Sequence, residues 1–568
     1  MKRFFFAAPF LFIICGRCAA QTQQSLSQSA AAQVDKLFEQ WDKSDSPGCA
    51  LGVYRDGQTI YKHGYGMADL ENDIPITPTT VFHVASMSKQ FTAASIVLLA
   101  EQGKLSLDDD VHKYLPELPD FAERITIRNL IHHTSGLRDQ WDLLDLAGWR
   151  YSLDLITDED VMSVMTRQKE LNFKPGDKHV YSNTGYTLLA LIVKRVSGLS
   201  LREFSTKNIF EPLGMTHTHF RDDHGEIVKH NALGYQREGK GKPFRLSLTN
   251  FDTVGATSLH TTVEDLQLWD ENFYHPRVGG PAFLQQLLER GKLNSGEQLD
   301  YAFGLVMGEY KGLPTVEHAG GDAGYRSDMA RFPQQHFSVA VLCNSGDATP
   351  TSLVRQVADI ILTKSLKAPE PDPLKTLPKP VETTLTPAQA AQLTGTYWDR
   401  EDDEFMKISM KDGKLQADSG DEEILVLKPV GEKRFHIADV PWGDNEEIRF
   451  VTGTSEMPPR LEQSFRGGKP YIFASVTPFS PSDTELAEYG GDYVSKEIDP
   501  VYRIIIKEGK LNLMRLKHQP ETLQPTVRDV FFGKIGTVRF TRDSGQRISG
   551  FVLNADRMRN LRFEKKVN

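Results

Sequence analysis

Across residues 48–66, apolar and polar positions alternate on either side of Asp56-Gly57, the pattern of two strands joined by a tight turn. A β-hairpin is predicted there. Longer apolar stretches near 86–102, 185–198 and 262–274 follow, and their spacing predicts helices. The stretch FTAASIVLLAEQG, beginning at Phe91, is apolar on most faces and stops at Gly103, as a buried helix with a glycine stop would. Strand-like runs return near 313–318, 328–332 and 337–343. Strands at both ends with helices between predict one α/β domain over residues 30–365, its first and last strands sharing a sheet.

Prolines at 369, 371, 373, 378 and 380 mark residues 366–384 as an extended linker. Beyond it the pattern becomes short alternating segments, and these repeat. Residues 386–416 align without gaps onto 482–512 at an offset of 96. Tyr397 falls on Tyr493, Gly395 on Gly491, Gly413-Lys414-Leu415 on Gly509-Lys510-Leu511, and Phe435 on Phe531. Turn glycines and alternating apolar residues define strands, so the two copies predict two small antiparallel β-barrels, 385–480 and 481–568. Packed interiors are the default; an interior holding a lipid or cell-wall ligand is the alternative.

The first twenty residues read differently. Lys2 and Arg3 precede an apolar run from Phe4 to Cys15, then small residues Cys18, Ala19 and Ala20. That layout predicts an export signal cleaved near Ala20, too short to span a bilayer, and so a secreted or periplasmic protein. Cys49 and Cys343 would remain. Each lies in a strand-like run, which favours two buried thiols, with a disulfide as the alternative in an oxidising compartment. The net charge of −10, with no Lys/Arg block, argues against nucleic-acid binding. No Cys/His group has zinc-ligand spacing, so no metal or cofactor is expected. Asp108-Asp109-Asp110 reads as an acidic helix start and His132-His133 as a structural turn.

Three stretches carry chemistry. Ser86 and Lys89, three apart, share a face of the first turn of the apolar helix. A serine hydroxyl is a weak nucleophile until a base takes its proton, and a desolvated lysine beside it can do so. Tyr181-Ser182-Asn183 follows a Pro175-Gly176 turn and enters another apolar helix. Near a lysine ammonium the Tyr181 phenol has a reason to ionise, and Asn183 can both donate and accept. His318-Ala319-Gly320-Gly321 follows a strand-like run, where small residues let a substrate lie along the strand edge. The N–H following Gly320 could join that of Ser86 as an oxyanion hole.

Ser-x-x-Lys, Tyr-x-Asn and His-x-Gly, in that order, resemble the penicillin-recognising serine hydrolases. The group most like it is the class C β-lactamase-like one, with its D-alanyl-D-alanine carboxypeptidases, esterases and D-aminopeptidases. LIHHTSGL at 130–137, YSNTGY at 181–186 and FEPLGM at 210–215 carry the same resemblance. It implies an antiparallel sheet flanked by helices, with a helical subdomain. It also implies an acyl-enzyme on Ser86, proton traffic shared by Lys89 and Tyr181, and an oxyanion held by the N–H groups of Ser86 and Gly321. Asn183, His318, Gly320 and Gly321 would bind substrate, a small molecule or peptide. The resemblance departs at His318, where class C β-lactamases carry lysine; a mostly neutral side chain there favours ester or aminopeptidase-type chemistry over β-lactam hydrolysis. Asp322 and Arg326 are candidates to recognise an ammonium and a carboxylate. A receptor that is acylated but releases slowly is the alternative to an enzyme.

Overall fold

The computed structural model describes residues 25–239, 241–367, 385–400, 403–419, 424–437, 446–454, 457–465 and 470–566. The export signal expected at 1–20 and most of the linker expected at 366–384 lie outside the described residues.

The hairpin forms as the alternation predicts. Strands Cys49–Arg55 and Gln58–Tyr65 are joined at Asp56 and Gly57, both in the left-handed region (φ 49° and 71°) that a two-residue hairpin turn needs. They form one side of a six-stranded antiparallel sheet, with Cys49–Arg55 paired to Phe337–Cys343. The remaining strands are, in order outward, Tyr325–Phe332, Leu313–Asp322 and Val306–Tyr310. The first and last strands of the domain thus share the sheet.

Both faces of that sheet are covered, and side chains alternate between two cores. Leu51, Val53, Val339 and Val341 meet Val34 and Phe38 of helix Gln28–Phe38 and Leu353, Val354 and Val357 of helix Pro350–Ile361. Ala50, Tyr54, Ala340 and Leu342 face the other way, into the core built by helices Lys89–Glu101 and Asn183–Ser197.

Cys49 lies directly opposite Cys343 in the strand ladder, and the two are joined as a disulfide. This corrects the expectation of two free buried thiols: strand-like surroundings were legible, but the register that sets one sulfur against the other depends on a pairing across 294 residues.

Each repeat closes into an eight-stranded antiparallel barrel. The offset of 96 holds in the pairing itself. Gly395 faces Ile408 as Gly491 faces Ile504, Leu415 faces Leu427 as Leu511 faces Leu523, and Pro429 faces Phe435 as Pro525 faces Phe531. Both barrels open with a short helix capped by its own first turn, Thr386 with Gln389 and Ser482 with Glu485. Among the described residues, no helix is long and apolar enough to cross a membrane.

Candidate active site

Ser86 stands on a turn of 3₁₀ helix, Ala85–Ser88, which runs into helix Lys89–Glu101. From Val81 to Leu99 every residue but Ser86 is buried. The turn is held from three sides. Val84 N–H donates to Leu259 O (3.0 Å), Leu259 N–H donates to Ser88 Oγ (3.0 Å), and Ser327 Oγ donates to Val84 O (2.8 Å). Ala85 takes φ 49°, a conformation costly for a non-glycine residue and tolerated where surroundings over-determine it.

Lys89 is fully buried beneath Ser86. Its Nζ donates to Ser86 Oγ (3.1 Å), Asn183 Oδ1 (2.9 Å) and the carbonyl of Ala256 (2.7 Å). Burial pushes its ammonium down to about 7; the carboxylate of Asp139 opposes that shift and Arg557 adds to it. Two N–H bonds held by Asn183 and Ala256 leave the third direction of a neutral amine, its lone pair, pointing at Ser86.

Tyr181 lies against the same group, its ring 4.8 Å from Lys89 Nζ, and it lines the cleft beside Ser86. Burial raises its phenol well above the usual range, more than the neighbouring Ser86 hydroxyl lowers it. Burial thus opposes the ionisation expected of Tyr181 beside a lysine ammonium. Both groups are desolvated, and desolvation favours the neutral form of each. His133, at φ 56°, stacks behind Tyr181 at 4.2 Å, and its Nδ1 accepts from Ser182 N–H.

Strand Leu313–Asp322 brings the third stretch alongside. A Cβ on Gly320 would sit 2.3 Å from Val84 O and 3.1 Å from Ser86 N, so only glycine lets the strand approach the nucleophile this closely. The neighbouring strand pairs with it only as far as Glu317, opposite Val306. Among the described residues no strand covers 318–322 on that side, which leaves an edge along which an extended substrate can lie. His318 is buried, with Nε2 against Tyr301 Oη (3.1 Å) and Nδ1 against Ala319 O (2.6 Å). Burial, then the charge of Lys89, pushes it down to about 4, so the ring is neutral near pH 7.

Ser86, Tyr181, His318, Gly320, Gly321 and Arg326 line one cleft of about 750 Å³. Lys89 and Asn183 lie behind Ser86, joined to it through Lys89 Nζ. Arg326 Nη1 is spent on the carbonyls of Ala323 and Tyr325. Asp322, a candidate for ammonium recognition, is turned inward, away from the cleft lining. It is buried and accepts from His83 (3.0 Å), Tyr151 (2.6 Å) and Thr257 (2.7 Å), a set of donors that already satisfies its charge. Although burial alone would raise its carboxyl, those bonds hold it below the usual range.

The sequence reading passed over Asp139, Arg557, His179 and Tyr301. The last two line the cleft. Asp139 is fully buried, and its Oδ2 accepts from Asn183 N–H (2.6 Å) and Asn183 Nδ2 (3.1 Å). One of the two Asn183 Nδ2 hydrogens is thus committed to Asp139. The only clue to Asp139 was its place directly after HTSGL-Arg138; nothing in the sequence marks it as buried. Among the described residues, Asp223, His224 and Asp252 bring three metal-ligating atoms within 4.8 Å of one another, at an exposed site where His224 already hydrogen-bonds Asp252.

Comparison with known families matches residues 34–361 to the family described as Beta-lactamase. Penicillin-binding protein 4* of Bacillus subtilis (strain 168) is 28% identical over 444 residues, covering 75% of this chain and 95% of that protein. A D-aminopeptidase of Gluconobacter oxydans (strain 621H) is 27% identical over 355 residues, 62% of this chain and 63% of that protein. The octameric penicillin-binding protein homologue from Pyrococcus abyssi shares the fold, with a TM-score of 0.54 at 23% identity over 78% of this chain and 99% of that one.

Proposed function

We propose, on the premise that this chain belongs to the Beta-lactamase family, that it is an exported serine hydrolase cleaving amide or ester bonds through an acyl-enzyme on Ser86. The observation that carries this reading is the pairing of the one unburied residue in the 81–99 run with a buried lysine 3.1 Å away whose ammonium is destabilised to about 7.

The neutral Lys89 amine takes the Ser86 proton as Oγ attacks the substrate carbonyl carbon. The N–H groups of Ser86 and Gly321 receive the oxyanion. As the tetrahedral intermediate collapses, the leaving amine or alcohol takes a proton from the Lys89 ammonium, directly or through the Tyr181 hydroxyl. Water then attacks the acyl carbon with its proton passing to Lys89, and the acid departs as Ser86 recovers its own. Asn183, with one N–H still free, and the open edge at 318–322 orient the substrate.

Neutral His318 offers no permanent cation for a free carboxylate, which favours peptidase, aminopeptidase or esterase action over efficient β-lactam hydrolysis. The similarity to a D-aminopeptidase supports that ordering. Export is supported by the charged-then-apolar start of the chain and by the Cys49–Cys343 disulfide, a bond that persists in oxidising compartments.

The test is a substrate panel on the wild type and Ser86→Ala: short-chain nitrophenyl esters, D- and L-amino acid anilides, a chromogenic cephalosporin and a peptide ending in D-Ala-D-Ala. Esters and anilides should outrun the cephalosporin, and Ser86→Ala should lose at least about 10³-fold in kcat. Unchanged turnover in Ser86→Ala removes the assignment. An acyl adduct on Ser86 that never releases marks a penicillin-binding receptor instead.

A further inference from the structure

The turn between the last two strands of the second barrel, Ile548–Ala555 and Met558–Lys565, reaches Asp139, the hydrogen-bond partner of Asn183. Its Arg557 grips Asp139 twice: Asp139 N–H donates to Arg557 O (3.2 Å), and Arg557 Nη1 pairs with Asp139 Oδ2 (3.4 Å). Asp139 Oδ1 caps the helix that follows, accepting from Trp141 N–H (3.0 Å). Oδ2 takes the backbone and side-chain N–H groups of Asn183. Arg557 is held in turn, its N–H donating to Asp142 Oδ2 (3.0 Å) and its carbonyl accepting from Asn172 Nδ2 (2.9 Å).

We propose that Arg557 is a positioning residue for the Lys89–Asn183 pair, acting through Asp139, so that the second barrel is part of the active site. The proposal rests on Lys89 being the base for Ser86. Because a carboxylate can only accept, Asp139 draws the Nδ2 end of Asn183 toward itself and thereby turns Oδ1 toward Lys89. Asp139 is also a fully buried negative charge close to a buried amine. With no other cation beside it, Asp139 would hold Lys89 as an ammonium, which cannot accept the Ser86 proton. Arg557 supplies that other cation.

The groups around Lys89 bear on its proton as follows. Tyr181 and Tyr186 present ring faces at 4.8 and 5.6 Å. His133 and His318 are held neutral by burial and by the charge of Lys89 itself. Asp139 and Asp322 favour the ammonium, and Arg557 opposes it. Around Arg557 stand Asp139, Asp142 and Asp556. Burial, then the charge of Asp139, raises Asp142 to about 7, so it titrates in the same range as Lys89.

The experiment reads the second-order rate at which a fluorophosphonate labels Ser86 in the full-length protein, from pH 5 to 9. Every variant is measured again with Asp142→Asn, which removes the second titrating group. The rate should rise with pH through a midpoint near 7. Arg557→Gln should move that midpoint up by about 0.5 to 1 unit, less than a charge in direct contact would. Arg557→Lys should restore the wild-type midpoint, and Asp139→Asn should move it down. A midpoint is independent of the folded fraction where that fraction is constant with pH, which circular dichroism across pH 5 to 9 checks; if Arg557→Gln yields no folded protein, Arg557→Met takes its place under the same criteria. The proposal is overturned if Arg557→Gln keeps the wild-type midpoint or lowers it, or if Asp139→Asn fails to lower it. The reading beneath fails separately, and visibly, if the wild-type rate shows no rise or if the label sits on a residue other than Ser86.

Discussion

In the first barrel, Gly395 faces Ile408 and the Tyr397 hydroxyl donates to Leu393 O; in the second, Gly491 faces Ile504 and the Tyr493 hydroxyl donates to Tyr489 O. Inside, Tyr397, Ile408, Leu415, Leu427 and Phe435 have counterparts in Tyr493, Ile504, Leu511, Leu523 and Phe531. Outside, they diverge. The interior of the second barrel is continuous with the core of the N-terminal domain, whereas Tyr397, Phe435 and Phe450 of the first belong to a core of their own. Met406 of the first barrel lies in that core, and its counterpart Tyr502 reaches out to donate to Leu146 O (2.8 Å). Arg138, directly beside Asp139, is enclosed by the second barrel: it pairs with Glu497 and donates to Arg559 O and Asn560 O. The first barrel meets the second through Trp398 and Phe405, packed on Val530 and Phe532. One folding pattern therefore serves two ends. Barrel closure is specified by residues the copies share, and docking by residues they do not.

Three substitutions test that contrast. Arg138→Ala should have the largest effect. It leaves Glu497 buried without its cation, costing about 3–5 kcal/mol, and frees the second barrel from the site, so thermal stability and turnover should fall together. A variant that melts early but keeps wild-type kcat/KM would show that docking and catalysis are independent. Phe405→Ala removes the ring stacked between Trp398 and Phe532. It should destabilise the barrel pair by about 3 kcal/mol while kcat/KM at 25 °C stays within about twofold, because among the described residues none of the first barrel lines the cleft. A tenfold fall in kcat/KM would erase the distinction. Arg562→Gln breaks an exposed pair with Glu170 at the docking surface. It should cost under about 0.5 kcal/mol, and a larger loss in urea unfolding would mean that docking rests on its rim.

The repeat was legible because period-two alternation and turn glycines are local signals. The helix behind Ser86 was legible for the same reason, and the Ser-x-x-Lys spacing put both groups on one face. Docking was not legible: Glu497, Tyr502 and Arg557 are ordinary in sequence, and only the placement of one barrel makes them buried partners. The Cys49–Cys343 bond depended on register, and the inward turn of Asp322 on donors from three separate segments, His83, Tyr151 and Thr257. The proton preference of Tyr181 depends on burial as well as on the charge of Lys89, and burial is set by the packing of distant segments, which no local pattern reveals.

The deciding measurement is the pH dependence of Ser86 labelling by a fluorophosphonate in the wild type, Lys89→Met and Tyr181→Phe. Since burial lowers the pKa of Lys89 to about 7, its base form fills as pH rises through that value, and the wild-type rate should climb to a plateau above it. Tyr181→Phe should keep the same midpoint at a reduced rate, and Lys89→Met should lose the rise altogether. A rise that persists in Lys89→Met and vanishes in Tyr181→Phe would make the phenol the base and contradict the account.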